Sequence, residues 1–63
     1  MDLNVPELQS FIVIRYPNGE WDWAVSALGT ENVCAEDHGA DLIQVCDTKD
    51  KARTLVFRGN NWD

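Results

Sequence analysis

Residues 10–16 (SFIVIRY) form a run of β-branched and aromatic side chains, and residues 20–28 (EWDWAVSAL) place apolar groups at alternate positions. Both patterns predict strands, because successive side chains of a strand point to opposite faces. Between them lies Asn18-Gly19, a pair that tolerates the positive φ of a two-residue type I′ hairpin turn. Counting outward from that turn sets Tyr16 opposite Trp21, Ile14 opposite Trp23 and Ile12 opposite Val25, all on one face. The other face would then pair Arg15 with Asp22, Val13 with Ala24 and Phe11 with Ser26.

Gly29-Thr30 ends this hairpin, which spans residues 10–28. NVCAE (32–36) reads as a shorter third strand closed by the turn composition DHGA, and DLIQVC (41–46) as a fourth with apolar residues on both faces. The segment 48–58 can be read two ways: RTLVF has the local propensity of a strand, but the ends of the segment favour a helix. Thr48 or Asp47 stands at its N-cap, Asp50 in the first turn, Arg58 in the last, and Gly59 where a left-handed cap would sit. Ala52, Leu55 and Val56 share one stripe of it. Residues 1–8 around Pro6 read as a loose N-terminal arm, and 59–63 as a C-terminal tail. The expected fold is α+β. It is an antiparallel β-meander of three to four strands, with the C-terminal helix seated on the tryptophan face of a single small domain, 1–63.

A chain of 63 residues buries only about 60% of its unfolded surface. Trp21 and Trp23 are therefore expected in the core, whereas Trp62, past Gly59 in the polar tail, either folds back onto it or stays exposed as an anchor. The 44% apolar and 25% charged content is that of a folded domain. Charge sharpens the picture. The formal net charge is -6, and Arg15 is the sole base before Lys49, whereas Lys49, Lys51, Arg53 and Arg58 follow in a short stretch. A nucleic-acid binder needs a basic face to neutralise phosphates, so direct binding to nucleic acid is not expected. The acidic start and the short FIVI run indicate neither a signal segment nor a membrane span, and a cytoplasmic protein is expected.

Chemistry is sparse. Cys34, His38 and Cys46 lack the paired spacing that presents two donors to a tetrahedral metal, so no metal or cofactor is expected, and the cysteines read as reduced thiols. The single histidine has no serine elbow or oxyanion device around it, and Glu36 and Asp37 are adjacent in sequence. An enzyme is not expected.

The order FIVIRYPNGEWDWAV followed by VCAEDHGADLIQV, covering residues 11–45, loosely resembles the SH3-like and Tudor small barrels. That resemblance implies an alternative all-β barrel, and with it a ligand-binding aromatic face built from Trp21, Trp23 and His38. The second turn carries His38 where such barrels have an aromatic residue.

The leading expectation is a non-enzymatic acidic interaction module. It would act as a small inhibitor or regulator that binds a basic, nucleic-acid-handling protein, in the manner of a phage-type inhibitor or nucleic-acid mimic. Its partner-binding residues are expected to be Glu31, Glu36, Asp37, Asp41, Asp47 and Trp62.

Overall fold

The computed structural model describes residues 8–61. The order is β1 (Gln9–Arg15), β2 (Trp21–Ala27), α1 (Glu31–Asp37), β3 (Asp41–Cys46) and α2 (Lys49–Asn60). The three strands make an open antiparallel sheet in the order β2-β1-β3. This is an α+β fold with two helices, and the barrel alternative is set aside by the open sheet. Most of the proposed arm, residues 1–7, lies outside the described residues; Leu8 already belongs to the hairpin, its carbonyl accepting from Leu28 N at 3.1 Å.

The hairpin is where expected, but its register differs by one residue. Arg15 faces Trp21, Ile14 faces Asp22, Val13 faces Trp23 and Phe11 faces Val25. The reason is the turn. Gly19 N donates to Tyr16 O at 2.8 Å, closing a turn with Pro17 at its second position, and Tyr16 N donates to Glu20 O at 2.8 Å. Gly19 has φ 92°, whereas Asn18 is not left-handed. The loop is therefore three residues, a type I turn followed by a glycine bulge, with the φ of Pro17 already suited to the first central position. A one-residue slip moves a strand's whole apolar set to the other face. Trp21 and Trp23 accordingly join Phe11 and Val13, leaving Ile12, Ile14 and Tyr16 on the opposite side. The expected Arg15–Asp22 pair does not form across the strands.

The predicted strand at 32–36 is instead the helix α1, and the four-strand variant falls with it. Its C-terminal signal was present in the sequence. Gly39 N donates to Glu36 O at 2.9 Å and Ala40 N to Ala35 O at 3.0 Å, with Gly39 at φ 69°. These two bonds are a Schellman motif, in which a left-handed glycine closes the helix. Ala35, buried, and Cys34 turn toward the sheet.

Helices cover both faces. Connecting the two outer strands, α1 crosses over β1 and packs on Ile12, Ile14, Ala24 and Leu42; α2 covers Val13, Phe11, Trp21, Trp23 and Cys46 through Ala52, Leu55 and Val56. The central strand is thus apolar on both sides. Ile12, Val13 and Ile14 are fully buried in succession, each stabilising the fold by about 1.5–3 kcal/mol.

Thr48 caps α2 by accepting from Lys51 N at 3.2 Å. The helix extends past the predicted end at 58, and Gly59 lies inside it instead of capping it in a left-handed conformation. Its role is steric. A Cβ there would collide with the Cδ2, Cε3 and Cε2 atoms of the Trp21 indole.

Both sheet edges are protected against strand addition. On β2, the Asn60 side chain accepts from Trp21 N at 2.8 Å and donates to Trp21 O at 3.0 Å, Asp22 accepts from Trp23 N at 2.8 Å, and Thr30 Oγ1 donates to Ala27 O at 2.9 Å. On β3, Val13 pairs Gln44 while Ile14 pairs Leu42. Ile43 is therefore an extra residue, and the bulge interrupts the outer edge.

Candidate functional site

The layered fold converts the uneven charge of the chain into two unlike surfaces. α1 carries Glu31, Glu36 and Asp37 and no base; α2 carries Lys49, Lys51, Arg53 and Arg58 against Asp50. The strands add to the contrast. Asp22 falls by register on the α1 side, while Arg15 lines a depression with Trp21, Leu55 and Arg58 on the α2 side.

Two of the predicted acids come together, and a third follows the first along α1. Glu36 and Asp41 line one shallow cleft with Pro17, Gly39 and Ala40, and Asp37 ends α1 beside it. All three are exposed. Glu36 and Asp37 occupy the last turn of α1, which contains no basic residue. Carboxylates there face the negative end of the helix, an arrangement that opposes folding by a few tenths of a kcal/mol or more.

The other predicted residues are placed differently. Glu31 sits at the far end of α1, where its carboxylate accepts from Ser10 Oγ at 2.7 Å and from Gly29 N at 3.1 Å. These bonds, the serine's first, hold its carboxyl below the usual glutamate range. Glu31 therefore ties α1 to β1 and to the preceding turn. Asp47, at the other end of β3, pairs with Lys51 at 3.1 Å, and the lysine's hydrogen bond and charge lower its carboxyl too. Trp62 lies outside the described residues.

The groups considered for other chemistry are dispersed. Cys34 packs on the α1 side and Cys46 on the α2 side, both as free thiols. Burial, followed by the neighbouring Asp47 charge, pushes the Cys46 thiol up. His38 closes α1, its Nδ1 at 2.9 Å from Cys34 O. It is not brought to Trp21 and Trp23, which lie under α2. No group of three metal-ligating side chains occurs among the described residues.

A second surface was not read from the sequence. Trp23, Arg53, Val56, Phe57, Asn60 and Asn61 line much of an open groove beside α2, and Phe57 is 68% exposed. The missed signal was an apolar residue off the core stripe. Phe57 stands one turn after Arg53, outside the Ala52-Leu55-Val56 face.

Protein-family models, curated proteins and solved structures give no significant match to this chain.

Proposed function

We propose that this chain is a non-enzymatic interaction module whose α1 surface binds a basic protein, acting as a small inhibitor or regulator by occupying a surface that the partner uses for nucleic acid. The observation that carries the reading is the grouping of Glu36, Asp37 and Asp41 around the α1–β3 turn, with two of the acids at the electrostatically unfavourable end of the helix. Local rules broken without a compensating contact point to a role outside folding. A cationic partner would relieve that repulsion and gain from the acidic field during approach. The protected sheet edges support side-chain faces over strand addition as the binding mode.

Glu31 and Asp47 are engaged within the fold, so the proposed contact set narrows to Glu36, Asp37 and Asp41. The test is affinity capture from a cell lysate with the full chain and with the triple variant Glu36→Gln, Asp37→Asn, Asp41→Asn. A partner retained at low salt, released as salt rises and lost with the triple variant supports the reading. A partner held equally at all salt concentrations, or equally by the variant, overturns it.

A further inference from the structure

The groove beside α2 has a floor of Trp23 and Val56, a wall of exposed Phe57 and a volume of about 650 Å³. It is a shallow depression, largely open to solvent. The polar side chains around it are not equally available. Asn60 is spent on the Trp21 backbone, Asn61 Nδ2 donates to Phe57 O at 2.8 Å, and the Thr54 hydroxyl donates to Asp50 O at 2.9 Å. Arg53 makes no ion pair or side-chain hydrogen bond among the described residues. Its guanidinium is left as the cationic donor beside the aromatic floor, and it matches a carboxylate.

Asp50 stands one turn earlier, in the first turn of α2, where a carboxylate complements the helix start. It gives the groove a polarity, with an anionic end excluded near Asp50 and accepted near Arg53 and Phe57. α2 as a whole carries four bases against one acid. Of these charges only Asp50 and Arg53 line the groove, so its pairing site for an anion is the Arg53 guanidinium.

We propose that this groove binds a short acidic peptide segment in which an aromatic or aliphatic side chain adjoins a carboxylate. The apolar side chain lies on Trp23 against Phe57, and the carboxylate pairs with Arg53. An exposed aromatic beside an arginine is the composition in which interface energy concentrates. The proposal rests on the α2 layer alone and is independent of the acidic α1 surface.

Titration of the 15N-labelled full chain with acetyl-Leu-Phe-Asp-amide tests it, with acetyl-Leu-Phe-Lys-amide and acetyl-Gly-Gly-Asp-amide as controls. The expected result is saturable shifts at the Trp23 indole N–H and the amides of residues 53–61, with both controls weaker. Arg53→Gln should weaken binding roughly two- to fivefold, the worth of an exposed charge pair. Phe57→Ala should weaken it further. Both positions are exposed, and unchanged thermal melts verify that the variants fold. Absence of saturation, equal binding of the lysine peptide, or shifts confined to α1 would each overturn the proposal. So would the same shifts on raising the protein concentration without peptide, since the occupant would then be a second copy.

Discussion

The indole of Trp21 rests directly on the Cα of Gly59, and the side chain of the next residue, Asn60, bonds both the N–H and the carbonyl of Trp21 along the outer edge of β2. Side chain and main chain of one strand residue are thereby fixed by two successive positions of α2. Replacing a glycine inside a helix by alanine ordinarily stabilises by about 1 kcal/mol. Here the added methyl meets the rigid ring, and Gly59→Ala is expected to destabilise by about 1–3 kcal/mol, as overpacking does. In a Trp21→Ala background the same substitution should become neutral or stabilising. Urea unfolding of the four proteins measures both effects, and additivity would show that the ring is not the obstacle.

The Asn60 clasp has its own signature. Asn60→Ala removes two hydrogen bonds at an edge strand, a loss of about 1–2 kcal/mol. Hydrogen exchange at the Trp21 amide should accelerate more than at Val13, which lies in the central strand. Equal acceleration at both sites would mean that the change acts globally, not at the edge.

The hairpin turn makes a prediction that separates the two possible registers. Gly19 alone is left-handed in the turn, so Gly19→Ala should cost about 1–2 kcal/mol while a D-alanine at position 19 should not. A D-asparagine at position 18 should destabilise. In a type I′ turn both D-residues would be accepted. The register itself predicts an Hα–Hα nuclear Overhauser contact between Val13 and Trp23, and none between Ile14 and Trp23.

Stability should fall in acid partly through Glu31. Its carboxyl is lowered in the folded state by Ser10 and Gly29. The contribution is fully present above the ordinary glutamate range and disappears as pH drops through the lowered folded-state value. The urea midpoint should therefore decline below about pH 4.3, and less steeply in Glu31→Gln or Ser10→Ala. An identical slope in these variants would remove Glu31 from the account.

Thiol reactivity should divide the two cysteines. Cys34 is partly exposed, whereas Cys46 is 5% exposed with its thiol pushed up by burial. Iodoacetamide at neutral pH should modify Cys34 roughly tenfold faster or more. Mass spectrometry of the labelled peptides reads the ratio, and comparable rates would show that Cys46 is not enclosed by Val13 and Ala52.

Much of the architecture was legible in local chemistry. The β-branched run at 10–16 and the turn residues specified a hairpin, and Thr48, Asp50 and Arg58 favoured the C-terminal helix over the strand that RTLVF allowed, because caps and propensities act over a few neighbouring residues. The chain also declared its charge asymmetry, with Glu36, Asp37 and Asp41 close in sequence. What lay beyond it were relationships between distant segments. The one-residue shift at the Pro17 turn was itself local, but only the two covered faces of the sheet reveal what that shift did to the tryptophans. Gly59 looked like a helix end because its missing side chain is equally suited to a left-handed cap and to a ring pressed against the helix, and Trp21, from a distant strand, decides between them. The same holds for function-bearing groups. Sequence could assemble the acids, but only packing revealed that Glu31 is engaged by Ser10 and that Phe57 is left beside Arg53 outside the core, since availability is what remains after the fold has used every group it needs.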